Sequence, residues 1–204
     1  MTVIIFDLCD TLVRTAGVPG LLTLPGLQER HTAADVDNWF VHSEVFRAYE
    51  RGEVDTDAFI DAFCADLRVR VDRQEFVRVY EALVQHEIDG MAQLVRRLAA
   101  RYPLYALSNN NPLLWRATRR VCTVLDCFSH IFLSHEIGLL KPDPRAFSHV
   151  LETVDCPPEK SILVDDNPVC IRAAQHARMQ TVHFDHAANA AHALAALTGI
   201  NLSA

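Results

Sequence analysis

Five short apolar runs, most of them containing β-branched residues, constrain the fold of this chain more than any other feature. They occupy positions 2–6, 104–108, 131–134, 161–165 and 181–184. From the second run onward, a segment of helix length separates each run from the next. This alternation is typical of β-α-β units that share a parallel sheet. The sequence therefore predicts an α/β fold.

Three of the intervening segments carry apolar residues at helical spacing. These predicted helices span 112–125, 144–154 and 168–177. In the last two, Asp143 and Asn167 place a side-chain cap directly before a proline at the first helical position. The alanine-rich stretch after His186 predicts a further, terminal helix.

The region between about positions 15 and 88 breaks this alternation. Helical patterns begin there near positions 32, 55 and 72, the first extending to Gly52, and no convincing strand is present. A turn-rich hinge of glycine and proline precedes them. We therefore expect an α/β core of residues 1–14 and 88–204 with an inserted all-helical module of residues 15–87. The aromatic side chains expected to form the core of this module, rather than to contact a substrate, are Trp39, Phe40, Phe46 and Tyr49.

Composition excludes several classes of protein. The 204 residues include 19 basic and 26 acidic ones, a formal net charge of −7, so the chain as a whole repels a polyphosphate and nucleic acid is not an expected partner. No window approaches the roughly 18 uninterrupted apolar residues of a membrane span, and Met1 leads into a short apolar run with no basic region before it. Six cysteines without a C-x-x-C pair indicate reduced thiols. We expect a cytoplasmic protein, monomeric or homodimeric.

Polar residues gather where the predicted strands end. Ligands of an open parallel sheet bind outside the carboxyl ends of its strands, so these positions are candidates for a site. The first run is followed by Asp7, Cys9 and Asp10, the second ends in Ser108 and Asn109, the fourth ends in Asp165 and Asp166, and Lys141 lies between the third and fourth. Taken singly, these residues also fit helix caps, turns or a surface lysine.

In this order, and with a helical insertion after the first, the four motifs resemble those of the haloacid dehalogenase (HAD) superfamily of aspartate-nucleophile hydrolases. The resemblance covers the whole chain. It implies a Rossmann-like, three-layer core with the strand order 5-4-1-2-3, a helical cap of the C1 type between the first two motifs, and usually a Mg²⁺-dependent phosphatase. Positions 49–59 (YERGEVDTDAF) and 134–138 (SHEIG) are similar to the branch that includes bacterial phosphatases acting on glucose 1-phosphate.

The resemblance also implies a metal site. A phosphate dianion can meet an anionic nucleophile, here Asp7, only if cations neutralise both, and a hard ion held by oxygen ligands does so. We expect Mg²⁺ to be bound by Asp7, the backbone carbonyl of Cys9 and Asp166. Asp165 is expected either as a further ligand or as a hydrogen-bond acceptor behind the ligands, while water and substrate phosphate complete the shell.

Three residues are expected to bind a phosphorylated substrate. Lys141 is a point charge suited to a phosphoryl oxygen and to Asp7. Ser108 supplies a hydroxyl donor, aided by Asn109 and nearby backbone amides. The expected substrate is a small sugar or metabolite phosphate.

Two cysteines depart from the pattern of the superfamily. Its phosphatases usually carry a second aspartate two residues after the nucleophile, acting as general acid toward the leaving group and then as base toward water. Cys9 occupies this catalytic position here, and a thiol near an anionic cluster is a feebler acid. Asp10 is not expected to replace it, because adjacent residues of an extended segment point to opposite sides. Cys170 lies where many members have Asp or Asn.

Two rival hypotheses stay open beside the phosphatase. A carbon–halogen hydrolase would use the same nucleophile without acid or metal, which suits Cys9, but that branch replaces the acidic pair with Ser and Asn. A binding or regulatory protein with degraded catalysis suits both Cys9 and Cys170. If Cys9 marks a lost acid, phosphates with acidic leaving groups should react much faster than primary alkyl phosphates. Equal rates would mean that another group supplies the proton.

Overall fold

A computed structural model of the protein describes residues 2–200. Its strands are β1 (Val3–Phe6), β2 (Val13–Thr15), β3 (Val84–Glu87), β4 (Leu104–Ser108), β5 (His130–Leu133), β6 (Ser161–Asp165) and β7 (Gln180–His183). Its α-helices are α1 (Gly17–Leu21), α2 (Ala33–His42), α3 (Glu44–Glu50), α4 (Thr56–Asp66), α5 (Arg73–Glu81), α6 (Met91–Ala99), α7 (Pro112–Val121), α8 (Ser134–Ile137), α9 (Pro144–Thr153), α10 (Pro168–His176) and α11 (Ala187–Thr198). Within this part of the chain, no helix combines the length and the apolar character of a membrane span.

β1 lies at the centre of a five-stranded parallel sheet. The strand order is β5-β4-β1-β6-β7, and every pairing is parallel. Ile4 pairs with Leu104 of β4 on one side and with Ile162 of β6 on the other. Counted among the strands of this sheet alone, the order is 3-2-1-4-5, which is the predicted 5-4-1-2-3 read from the other edge. The predicted α/β class and Rossmann-like sheet are confirmed.

Helices cover both faces of this sheet and complete the three layers. Alternate residues of β1 point to opposite faces. Ile4 and Phe6 pack in a cluster with α6, α7 and α11, whereas Val3 and Ile5 pack in a cluster with α9 and α10. The whole of β1 is buried, as is usual for the central strand of a sheet covered on both sides. This burial fixes the carboxyl end of β1, where the predicted nucleophile follows.

Helices α2 to α5 build a second core that is rich in aromatic side chains. Phe59 and Phe63 of α4 meet Phe76 of α5 edge to face, and Tyr49 of α3 stacks on Phe59 with ring centroids 4.5 Å apart. Partly buried against the same cluster are Trp39, Phe40 and Phe46. The packing role predicted for these aromatic residues is confirmed.

The inserted region is not all helical, which corrects a prediction. β2 pairs antiparallel with β3, and β3 lies inside the stretch 15–87. Val13 and Val84 are the only buried residues of the two strands. Neither strand therefore shows the apolar run on which strand prediction relied. The pairing brings the two ends of the helical segment together, because the chain leaves the core at β2 and returns at β3.

Smaller differences concern the ends of helices. The helix expected from position 32 to Gly52 is two helices, because Ser43 ends α2 and its side chain accepts a hydrogen bond from the N–H of Phe46 (3.2 Å) to cap α3. The expected hinge contains the short helix α1. The caps predicted at Asp143 and Asn167 are confirmed. α11 confirms the predicted terminal helix, and positions 1 and 201–204 of the predicted core lie outside the described residues.

Candidate active site

Asp7 directly follows β1 at the carboxyl edge of the parallel sheet. Its N–H donates to the carbonyl of Val164 in β6 (2.9 Å), so the backbone pairing continues to this residue. Only 6% of Asp7 is exposed. Burial raises the pKa of its carboxyl group to about 7; Lys141 opposes the rise, whereas Asp165 and Asp166 add to it. The predicted nucleophile thus lies where negative charge requires a nearby cation.

Lys141 bridges two carboxylates at this edge. Its Nζ donates to Oδ1 of Asp7 (2.7 Å) and to Oδ2 of Asp165 (2.5 Å), and all three residues are buried. Burial by itself lowers the pKa of Lys141, but the two carboxylates outweigh it and raise that pKa above its usual range. Lys141 is therefore a buried cation that contacts the predicted nucleophile.

Asp165, the last residue of β6, already uses both of its carboxylate oxygens. Oδ2 accepts the hydrogen bond from Lys141, and Oδ1 accepts one from the N–H of Asn167 (2.8 Å). The residue is fully buried. Of the two roles left open for Asp165, these bonds favour the acceptor behind the ligands over the direct metal ligand.

Asn109 positions Lys141 through two hydrogen bonds. Its Nδ2 donates to the carbonyl of Lys141 (2.7 Å), and its Oδ1 accepts from the N–H of Lys141 (2.7 Å). The sequence predicted a donor to substrate phosphate at this position. In the structure, both polar atoms of the amide bond to the backbone of Lys141, and the predicted role toward substrate phosphate stays a prediction.

Ser108 ends β4, the strand beside β1, and its hydroxyl group is fully buried. Within residues 2–200, its Oγ atom has no hydrogen-bond partner. A buried hydroxyl without a partner loses about 1–3 kcal/mol of solvation that nothing in the protein restores. An oxygen-rich ligand at this edge of the sheet would supply the missing bond, as predicted for a substrate phosphate.

The oxygen donors near Asp7 suit a hard divalent ion. Burial raises the pKa of Asp166, and the negative charges of Asp165 and Asp10 add to the rise. Among the described residues, no three His, Cys, Asp or Glu side chains form a metal-binding group on their own. A metal here would have two carboxylates, the backbone carbonyl of Cys9, and oxygens of water or substrate. This donor set fits Mg²⁺, which keeps several waters and takes one or two carboxylates.

The thiol of Cys9 is poorly suited to proton transfer. Burial raises its pKa well above the usual range, and the charges of Asp7, Asp10 and Glu50 add to the rise. Asp10 does not stand in for it. Asp10 has a φ of +55°, and its carboxylate accepts hydrogen bonds from the N–H and hydroxyl groups of Thr15 (3.1 and 2.6 Å). These bonds hold the Asp10 side chain toward β2, as expected. The cause differs from the expected one, because Asp10 lies in a left-handed turn and not in an extended segment.

Cys170, the second departure from the superfamily pattern, is buried in α10. Burial raises the pKa of its thiol to about 12, with Lys141 opposing the rise. All six cysteines are free thiols. Cys170 therefore lies near the charged cluster as a neutral side chain.

Glu50, the last residue of α3, is a carboxyl group with a raised pKa that the sequence did not single out. It is half-buried, and burial raises its pKa to about 8, with only Arg51 opposing the rise. Its charge also adds to the raised pKa of both Cys9 and Tyr80. Glu50 falls within positions 49–59. Its burial, which distinguishes it from an exposed glutamate, cannot be read from the sequence.

The helical segment touches the core beside Glu50. Gly52 has a φ of +71°, and a Cβ atom at this position would lie 2.1 Å from the carbonyl oxygen of His135 in α8. A second bridge joins Nδ2 of Asn111, at the start of α7, to the hydroxyl of Tyr80 in α5 (3.3 Å). The helical segment thus packs against residues that follow the carboxyl ends of β4 and β5.

The sequence profile of the haloacid dehalogenase-like hydrolases matches residues 1–178. The chain belongs to this family. As an HAD-like hydrolase, it has relatives that are named phosphatases.

The relatives differ in length and activity. D-ribitol-5-phosphate phosphatase of Bacteroides thetaiotaomicron is 22% identical over 199 residues, which are 91% of this chain and 93% of that protein. Phosphoserine phosphatase of Thermus thermophilus is 31% identical over 134 residues, or 53% of each protein. Drimenol cyclase drtB of Aspergillus calidoustus is 26% identical over 148 residues, 71% of this chain, and the HAD-like chain spans only 28% of that protein.

Solved structures share the fold. An HAD family enzyme of Bacteroides thetaiotaomicron, in complex with magnesium and inorganic phosphate, has a TM-score of 0.78 and 20% identity over 91% of this chain and 95% of that one. An HAD-like hydrolase from Porphyromonas gingivalis has a TM-score of 0.80 and 19% identity over 97% of each chain. An L-2-haloacid dehalogenase has a TM-score of 0.66 and 22% identity over 89% of this chain and 85% of that one.

Proposed function

We propose that this HAD-like hydrolase is a Mg²⁺-dependent phosphomonoester hydrolase. Its substrate would be a small sugar or metabolite phosphate, and the phosphoryl group would pass through an aspartyl-phosphate on Asp7. The observation that carries the proposal is the contact of Lys141 with both Asp7 and Asp165 at the carboxyl edge of the sheet. A buried cation at a carboxylate prepares a site for a second anion.

Each residue of the site then has a task. Asp7 attacks phosphorus, and Lys141 neutralises the nucleophile and one phosphoryl oxygen as they approach. Ser108 donates its free hydroxyl to another phosphoryl oxygen. Asn109 holds the backbone of Lys141, and Asp165 accepts a hydrogen bond from its ammonium group.

Asp7, Asp166 and the backbone carbonyl of Cys9 would hold the Mg²⁺ ion. When bound, the ion supplies positive charge for the phosphoryl oxygens and orients the phosphate. The raised pKa values of Asp7 and Asp166 support this assignment, because clustered carboxylates require a cation. The crystallised Bacteroides thetaiotaomicron enzyme, similar in fold, contains magnesium and inorganic phosphate.

We also propose the domain division and the branch. The core would comprise residues 1–14 and 88–204, and residues 15–87 would form a helical cap of the C1 type. The positions 49–59 and 134–138 favour the branch that includes glucose 1-phosphate phosphatases. The named activities of relatives, on ribitol 5-phosphate and phosphoserine, favour a small phosphorylated metabolite as the substrate. The free thiols favour the cytoplasm as its location.

The test is phosphate release from a panel of phosphorylated metabolites, measured with and without Mg²⁺. We expect release that requires Mg²⁺ and is lost in Asp7→Asn. Halide release from 2-haloacids, without phosphate release, would favour the carbon–halogen hydrolase. Binding of metabolites without either reaction would favour the regulatory protein.

A further inference from the structure

Residues 109–111, called the 109–111 loop, follow Ser108 directly and join β4 to α7. The proposed function assigns the hydroxyl group of Ser108 to a phosphoryl oxygen, so the backbone N–H groups of this loop are candidate donors to the same phosphoryl group. A backbone N–H group is free for a ligand only where the protein does not already engage it. The hydrogen bonds of the loop therefore decide which of its N–H groups could bind phosphate.

The protein already engages two of these three N–H groups. The N–H of Asn110 donates to Oγ of Ser134 (2.8 Å), and the N–H of Asn111 donates to Oδ1 of Asn110 (2.9 Å). Among the residues that the structure describes, none accepts a hydrogen bond from the N–H of Asn109. Asn109 therefore supplies the free backbone donor of the loop, next in the chain to the unpartnered hydroxyl group of Ser108.

Ser134 holds the backbone of the loop on both sides of one residue. Its Oγ accepts the hydrogen bond from the Asn110 N–H and donates another to the Asn110 carbonyl (2.9 Å). Both residues are fully buried. Ser134 begins α8 directly after β5, the strand beside β4 in the sheet. A single side chain, 24 positions along the chain, thus fixes the two peptide groups that flank the Cα atom of Asn110.

This bridge also sets the direction of the free donor. β4 lies between β5 and β1, and the N–H of Asn110 is directed to the β5 side, where Ser134 accepts it. Successive N–H groups of an extended segment point to opposite sides. The N–H of Asn109, one residue earlier, is then directed to the β1 side, and Asp7 directly follows β1.

We propose that Ser134 is a positioning residue for the substrate phosphate, which keeps the Asn109 N–H beside the Ser108 hydroxyl group. The assignment rests on the proposed function. A phosphate dianion accepts hydrogen bonds, and the single O–H of Ser134 is already donated to the carbonyl of Asn110. Ser134 therefore acts through the 109–111 loop and not by binding the substrate itself.

Removing the Ser134 hydroxyl group should weaken phosphate binding more than it slows the reaction. Ser134→Ala leaves the N–H and the carbonyl group of Asn110 buried without partners, so the loop must move to pair them again. The Asn109 N–H then loses its place beside Ser108. A phosphoryl group carries negative charge both when it binds and while it reacts, so the loss of this donor affects both stages alike and appears mainly in KM.

The experiment titrates inorganic phosphate into Mg²⁺-loaded protein in a calorimeter and measures KM and kcat with p-nitrophenyl phosphate. For Ser134→Ala we expect about 10–100-fold weaker phosphate binding, the loss typical of one hydrogen bond to a charged group. KM should rise by a similar factor, while kcat changes by less than about threefold. Ser134→Cys keeps the size of the side chain but offers only weak hydrogen bonds. Its phosphate affinity should lie between those of wild type and Ser134→Ala.

Ser161→Ala is the matched control. Ser161 is as fully buried as Ser134, and its Oγ donates to the carbonyl of Pro158 (2.7 Å), but it begins β6 at the amino edge of the sheet. This variant loses a buried hydroxyl group without touching the 109–111 loop. We expect its phosphate affinity and its KM to equal those of wild type.

The graded variant keeps the test independent of folding, because Ser134→Cys is measured even if Ser134→Ala does not fold. Wild-type phosphate affinity and KM in the Ser134 variants would overturn the assignment while leaving the phosphatase intact. A fall in kcat as large as the rise in KM would overturn it as well. Wild-type protein that binds no phosphate with Mg²⁺ and releases none from any probe would instead overturn the proposed function, and the role of Ser134 with it.

Discussion

Lys141 Nζ lies 2.7 Å from Asp7 Oδ1, although the two residues are separated by 134 positions in the chain. Asp7 follows the central strand, and Lys141 comes from the segment between β5 and α9. The pair is buried with Asp165 as its third member. One cation thus joins two distant carboxylates, so it should affect stability as well as catalysis.

Lys141→Met should destabilise the protein, because it leaves two carboxylates buried without their cation. Breaking a buried ion pair on one side costs about 3–5 kcal/mol. The loss should be largest above neutral pH and should shrink in acid, where Asp7 takes up a proton. Urea unfolding measures it, with the exposed Lys160→Met as the matched control. A loss equal to that of the control would contradict the buried bridge.

Asp166→Ala should weaken Mg²⁺ binding more than Asp165→Ala does, because Asp166 is the proposed ligand and Asp165 acts through Lys141. Removing a residue behind the ligands typically lowers metal affinity by about 10–100-fold, and we expect a larger loss for Asp166→Ala. Asp165→Ala should instead lower the free energy of unfolding. Calorimetric titration with Mg²⁺, beside thermal unfolding, compares the variants. Equal Mg²⁺ affinity in wild type and Asp166→Ala would show that the metal assignment is wrong.

Glu50→Gln should stabilise the protein at alkaline pH. The pKa of Glu50 is about 8 in the folded protein against an ordinary value of 4.5. A raised folded-state pKa contributes stability that is lost as pH rises from the unfolded value through the folded one. The glutamine variant lacks this loss. We expect a gain of about 2 kcal/mol near pH 9, less than the full shift implies because Glu50 keeps access to water, and no gain near pH 4.

Thermal unfolding across this pH range measures the difference. A gain of that size corresponds to about 4–8 °C in Tm for a protein of this length. Asp7, whose pKa is also raised, is common to both proteins, so the difference between them isolates Glu50. Identical pH dependence in both proteins would contradict the burial of Glu50.

Gly52→Ala should disturb the contact between the helical segment and α8. The added Cβ would lie 2.1 Å from the carbonyl oxygen of His135, and the φ of +71° is unfavourable for alanine. Gly138 is the matched control, because it has a φ of +72° with no atom within 4 Å of its added Cβ. Gly138→Ala should lose only the backbone contribution, about 1–2 kcal/mol. Urea unfolding measures the loss in the free energy of unfolding for both variants. Equal losses would show that the close approach at Gly52 does not add to the cost.

The strand-end residues could be predicted from the sequence because a parallel sheet brings the carboxyl ends of its strands to one edge. Asp7, Ser108 and Asp165 each follow or end an apolar run, so the fold class alone places them together. The contact of Lys141 with Asp7 could be predicted from the order of the motifs, in which Lys141 lies between the third and fourth apolar runs. The buried aromatic core of the helical segment followed from helical spacing.

Other features depend on contacts that no local pattern encodes. An asparagine at the end of β4 can face a ligand or a loop, and Asn109 faces Lys141 only because a segment 32 positions away returns to it. Glu50 acquires its burial from the approach of α3 to the core, which Gly52 permits. β2 and β3 bury one residue each, so their pairing across the insertion left no apolar signal.

The central claim is the phosphoryl group on Asp7, and its most direct test is mass spectrometry of protein quenched in acid during turnover of p-nitrophenyl phosphate with Mg²⁺. We expect wild-type protein to carry one phosphoryl group that maps to the peptide containing Asp7 and is released by hydroxylamine, and Asp7→Asn to carry none. Steady phosphate release by wild type with no phosphorylated protein at any quench time would contradict the account.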